Sequence, residues 1–147
     1  IAYPDGYKSS EKALEIHGIS DEIAKRDGVD INEIFSRFGD DLMKCNRVLG
    51  YNINFDYHIL MSECYRNNNR NITKILKTMC ENQNVICVQQ MSKKIVGVNN
   101  LIARYKLYPR LEEVYRQLFN DPEFNTSHNA LDDTQRCSDI YFKLLDY

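Results

Sequence analysis

The sequence predicts an α/β layered domain. Two observations lead there. Two compact apolar segments with strand character, Arg47–Asn52 and Asn84–Val88, are each preceded and followed by segments of helical period. The 147 residues, 43% of them hydrophobic, suit one domain closing on a packed core.

The elements follow from local chemistry. Ser9 and Ser10 lead into Glu11–Ile16, and Gly18 follows, which is a short helix capped at both ends. Ser20 and Asp21 open a second short helix that stops at Gly28. Asp30 with Glu33 forms a capping box, Asp replacing Ser or Thr. It opens a longer helix with Ile31, Ile34, Phe35, Phe38, Leu42 and Met43 on one stripe, which Gly39 weakens without ending. Arg47–Asn52 reads as a buried strand, and a helix follows from about Asn54 to Arg66.

Asn67–Asn71 is a turn, because Asn bonds its own backbone and tolerates left-handed geometry. Ile72–Asn82 is helical, and Asn84–Val88 is a second buried strand. Residues 89–108 have poor periodicity and read as irregular or short helix. Pro109 suits the first position of a helix reaching about Phe119, broken by Asn120-Asp121-Pro122. Ser127 is the expected cap of a final helix from about Asn129 to Leu145. Its apolar face is Ala130, Cys137, Ile140, Tyr141, Leu144 and Leu145. Two strands cover too little to support this many helices, so a further strand is expected on the N-terminal side or from another chain.

No run of about 18 apolar residues occurs, so no membrane span is expected. Ile1–Gly6 resembles neither a signal nor a transit peptide, and the missing initiator methionine suggests a cut from something longer. Cys45, Cys64, Cys80, Cys87 and Cys137 are odd in number and lack Cys-x-x-Cys spacing. They read as mostly reduced core residues of an intracellular protein, cytoplasmic or nuclear, and are too dispersed for a zinc site.

Net charge is −2, but its distribution is uneven. Nine basic residues, from Arg66 to Arg110, face the single acid Glu81, a net +8, and both flanks are acidic. Such a pattern suits a protein that holds metals at one place and phosphates beside it, and equally a solvated basic face without a ligand.

Three residues carry potential chemistry. Asp56 opens a helix after a strand, where ligands of open α/β sheets bind. A carboxylate there is also favoured by the helix dipole alone. Asp132 and Asp133 lie about 100° apart on a helix, so only one can face a metal. If Ala130 packs inward, Asp133 shares its side and Asp132 is exposed. His128 precedes that helix, where a flexible approach can bring its ring to the metals. It also suits a cap or core position. His17 joins two short helices and could contact a nucleotide or merely end a helix. His58, two positions from Asp56, faces away and reads as structural or surface.

Four segments, in order, resemble the DEDD-type 3′–5′ exonucleases of the histidine-using subgroup (DEDDh). This family has a ribonuclease H-like fold, a mixed sheet flanked by helices, and includes the proofreading ε subunit of bacterial polymerase. The segments are Pro4-Asp5-Gly6 through His17-Gly18-Ile19-Ser20, Asn52-Ile53-Asn54-Phe55-Asp56, Pro109–Tyr115, and His128-x-Ala130-x-x-Asp133. The resemblance spans essentially the whole chain, 1–147, as one exonuclease domain.

It implies that Asp56 and Asp133 are two of four acidic metal ligands. His128 is the general base. His17 and Ile19 lie near the 3′-terminal nucleotide, and Asn52 supports the site. Two divalent ions, Mg²⁺ or Mn²⁺, would serve an in-line displacement. The implied partner is single-stranded or 3′-ended nucleic acid, with a DNA polymerase as a further one. Tyr51 stands where many relatives carry His, a mild departure. The larger departure is the family's first motif, Asp-x-Glu on the first strand, which the chain lacks together with the N-terminal strands. Two carboxylates hold two cations poorly. The chain taken literally is therefore expected to be nearly inactive, and the natural protein to carry the motif within about 40 residues upstream. A catalytically incomplete module that binds nucleic acid or a polymerase on the same fold is the alternative, and a domain that binds a protein partner is the third reading.

Overall fold

Residues 8–93, 108–125 and 129–146 are described by the structure, a computed structural model. They form eight helices and two strands. In order these are α1 (Glu11–His17), α2 (Asp21–Asp27), α3 (Ile31–Lys44), β1 (Val48–Gly50) and α4 (Ile53–Arg66). Then come α5 (Arg70–Glu81), β2 (Val85–Cys87), α6 (Val88–Ser92), α7 (Leu111–Phe119) and α8 (Ala130–Leu144).

Capping side chains set most of the helix starts. Ser20 Oγ accepts the Ile23 N–H at 3.2 Å, and Asp30 Oδ1 accepts the Asn32 N–H at 2.8 Å. Asp30 thus bonds the second amide of the helix and not the third, and Glu33 is engaged by Arg37 at 2.5 Å, so Asp30 acts as a simple cap and the expected capping box does not form. Asn69 Oδ1 accepts the Ile72 N–H at 3.1 Å, which lets α5 begin at Arg70, two residues before the expected start. Asn68, at φ 53°, makes the left-handed turn before it.

Two further starts differ from expectation. α7 begins at Leu111 with Arg110 as its cap, two residues after the expected first position at Pro109, and the Arg110 N–H donates to Glu113 Oε2 at 2.8 Å. Asn129 caps α8, its Oδ1 accepting the Leu131 N–H at 2.9 Å. Ser127, the expected cap, lies outside the described residues. Asn120, at φ 53°, ends α7 as expected.

The two strands pair in parallel, with Val48 opposite Val85 and Leu49 opposite Ile86. Side chains alternate across a strand, and the packing follows. Val48 and Val85 pack on a core of Phe35, Leu42, Met61, Cys64, Ile72, Leu76 and Met79, supplied by α3, α4 and α5. Leu49 and Ile86 pack on a second core built from α6, α7 and α8, centred on Val88, Val114 and Ile140. The sheet is thus a middle layer between two helical layers. A single expected core has become two, one on each face. Both strands are half-buried rather than fully buried, because a two-stranded sheet leaves each strand an edge without a backbone partner among the described residues.

Other expectations about the core are corrected at element ends. Met43, 71% exposed, lies about 100° round α3 from buried Leu42 and faces solvent. Ala130 is exposed at the first turn of α8, and Leu145, 58% exposed, lies beyond its last turn. All five cysteines are free. Cys64 and Cys137 are buried and Cys87 half-buried, whereas Cys45 and Cys80 are exposed. Among the described residues no helix is long and apolar enough to cross a membrane.

Candidate active-site cleft

β1 ends at Gly50, and the chain turns at once into α4. Asn52 makes the turn in the left-handed region, at φ 60° and ψ 41°. Gly50 leaves room for Ile53: a Cβ there would lie 2.4 Å from Ile53 Cδ1 and 3.1 Å from Ile53 Cβ, so a larger residue would force the Ile53 side chain to shift. This tight corner places Asp56 in the first turn of α4, beside the carboxyl end of the strand. Asp133 stands in the first turn of α8.

Both aspartates line one cleft of about 640 Å³. The carboxyl end of β1 contributes Leu49, Gly50 and Tyr51, and α8 contributes Ala130, Thr134, Cys137 and Ser138. Asp133 is half-buried and its Oδ1 is withdrawn from solvent. Ala130 lines the same cleft, so the two share a side of α8 as expected, although Ala130 faces the cleft and not the core. Asp132 is exposed.

The cleft perturbs its titratable groups. Asp56 remains solvent-accessible, yet the walls remove enough water to raise its carboxyl above the ordinary range. Burial pushes the Cys137 thiol up to about 11, with the charges of Cys87 and Asp56 adding to the shift. Burial also pushes the Tyr51 phenol upward, with Glu113 adding to it. The Tyr51 hydroxyl donates to the Pro109 carbonyl at 2.9 Å, and Gln89 Nε2 donates to the same oxygen at 3.0 Å. Tyr51 therefore ties the cleft wall to the lead-in of α7.

The other nominated residues sit differently. His17 ends α1 and is exposed, and its Nδ1 accepts the Ile19 N–H at 3.0 Å. Neither it nor Ile19 lines the cleft. Asn52 is exposed, and it is flanked by Tyr51 and Ile53, which do line it. His128 lies outside the described residues, one position before the cap of α8, and so does Pro4-Asp5-Gly6. His58 is exposed, its Nδ1 2.5 Å from the Asn54 carbonyl. Thr134, Cys137 and Ser138 were not foreseen as cleft residues. The i, i+4 spacing from Asp133 would have found Cys137 once Asp133 was assumed to face the cleft, whereas Thr134 and Ser138 line it from further round the helix.

Asp56 and Asp133 are hard oxygen donors, the type that Mg²⁺, Mn²⁺ or Ca²⁺ prefers. Among the described residues no group of three or more His, Cys, Asp or Glu side chains gathers to hold a metal ion. The pair fits part of a divalent-cation shell, and the remaining oxygens would come from elsewhere.

Fold and cleft together define an α/β layered protein with two carboxylates at the carboxyl edge of a parallel sheet. A family model described as an exonuclease, RNase T, matches residues 3–141, and the chain belongs to that family. Membership indicates a hydrolytic nuclease acting on nucleic acid. No curated protein and no solved structure gives a significant match.

Proposed function

We propose that this protein is a metal-dependent 3′–5′ exonuclease of the histidine-using DEDD type, on a ribonuclease H-like fold that occupies the whole chain. The observation that carries the reading is the shared cleft of Asp56 and Asp133. In it, these two carboxylates would supply two of the four acidic ligands for Mg²⁺ or Mn²⁺, the other two coming from the family's first motif, and His128 would take the proton from the attacking water. When bound, the cations stabilise the charge developing on the phosphodiester oxygens. Asn52 shapes the corner under the site, and His17 and Ile19 contact the terminal nucleotide. A DNA polymerase is the partner a proofreading use would require.

The test is stepwise 3′ shortening of a 5′-labelled oligonucleotide with Mg²⁺ or Mn²⁺, by a protein that also carries the family's Asp-x-Glu first motif ahead of these residues. Asp56→Asn, Asp133→Asn and His128→Ala are each expected to abolish it, and blocking the 3′ end should stop the wild type. Full activity in all three variants would overturn the reading. Tight binding by a wild type that never cleaves would favour the non-catalytic nucleic-acid- or polymerase-binding module instead.

A further inference from the structure

The basic middle of the chain is organised at a place remote from the cleft. Arg70, Lys74 and Lys77 recur on one face of α5. They line a groove of about 560 Å³ between α5 and the end of α4, together with Tyr65 and Asn68. Glu81, at the far end of α5, is the only carboxylate in its wall. No ion pair engages Arg70, Lys74 or Lys77 among the described residues, whereas neighbouring Arg66 is held by Glu63. Tyr65 is 57% exposed, and Lys77 Nζ lies 5.6 Å from its ring centroid. Asp56 and Arg66 stand at opposite ends of α4, about 15 Å apart along its axis.

Three features indicate the ligand. The cations step along the helix at intervals of about 4.5–6 Å, a row suited to a chain of phosphates more than to a single anion. An exposed tyrosine ring beside them offers a stacking platform, which only an unpaired base can use. The groove is also open, and its lining is mostly polar and charged residues with three cations among them, which an anionic chain can use.

We propose that the α4–α5 groove is a second nucleic-acid contact. In it Arg70, Lys74 and Lys77 hold the backbone of a single strand while Tyr65 stacks on a base. The contact does not depend on the cleft being catalytic, because it is measured in EDTA, where no metal-dependent turnover can occur.

The experiment is fluorescence anisotropy of a labelled oligothymidylate with the full chain, circular dichroism confirming that each variant folds. Three neutralised phosphates imply that wild-type affinity falls roughly twenty-fold between about 50 and 200 mM salt. Arg70→Gln/Lys74→Gln/Lys77→Gln should weaken binding at least about tenfold and flatten that slope. Tyr65→Ala should weaken it about five-fold or more, and Tyr65→Phe should keep it. Removing as many charges at Lys8, Lys12 and Lys44 should change affinity less than about twofold, a small general field effect. Equal weakening by that control set would overturn the proposal, as would wild-type affinity in the α5 triple variant. Competition by polyglutamate as effective as by the oligonucleotide, with Tyr65→Ala neutral, would also overturn it and make the groove a site for acidic peptides.

Discussion

Asp56 and Asp133 face one cleft although they open different helices, α4 and α8, with α5, β2, α6 and α7 between them in the chain. Their environments differ. Asp56 is solvent-accessible, whereas Asp133 is half-buried with one oxygen withdrawn from solvent.

Activity and stability should respond in opposite directions at Asp56. Its carboxyl is raised above the ordinary value by burial, so the fold favours the protonated form. Stability from this group is present at low pH and is lost as pH rises through the raised value. At neutral pH Asp56→Asn should therefore keep or slightly raise the melting temperature, with a flatter acid-side profile. In a protein carrying the first motif, metal-dependent cleavage should fall by at least about a hundredfold, roughly 3 kcal/mol or more of lost charge stabilisation. A clear loss of melting temperature in this variant would contradict the account.

Gly50→Ala should destabilise by about 1–3 kcal/mol through overpacking against Ile53. Ile53→Val deletes the Cδ1 atom that makes the closest contact. The double variant should therefore recover part of the loss in a denaturant melt, although the contact to Ile53 Cβ remains. Independent, additive losses would show that the corner is not limited by this contact.

The Pro109 carbonyl has two donors, and Pro109 is buried. Tyr51→Phe alone should cost about 1 kcal/mol because Gln89 still donates. Gln89→Leu alone should cost a similar amount. The pair should cost about 3 kcal/mol, since the buried carbonyl then has neither donor. A double-mutant cycle by urea titration measures the coupling, and simple additivity would show that the two bonds do not share the carbonyl's satisfaction.

Cys137 is 5% exposed and its thiol is raised from 9.0 to about 11. It is thus protonated and slow toward alkylating reagents at neutral pH, whereas exposed Cys45 and Cys80 should react first in a mass-spectrometric time course. The unfolded chain loses this proton near 9 and the folded chain near 11. Stability present below 9 is therefore lost across that window, by about 2–3 kcal/mol. The difference between wild type and Cys137→Ala should show that loss. A flat difference would place the thiol in a wetter environment.

Local sequence accounts for the punctuation and the periods of this protein. Ser20, Asp30 and Asn120 mark helix ends by local hydrogen bonding or left-handed geometry, which needs no distant partner, and the apolar runs at 48–50 and 85–87 had to become strands. It also singled out Asp56 and Asp133, because position after a strand or at a helix start is local information. The tertiary structure decided everything that depends on which surfaces meet. Alternation along β1 put Val48 and Leu49 into separate cores, but only packing built a core on each side. The period of α3 offered Met43 to the interior and that of α8 offered Leu145, and neither found a neighbour to cover it. The nine scattered cations became a row only where α5 turns Arg70, Lys74 and Lys77 toward Tyr65. The common cleft of the two aspartates is likewise a product of assembly: a carboxylate's direction is set by its helix, while the distance to its counterpart is set by how the layers stack on the sheet.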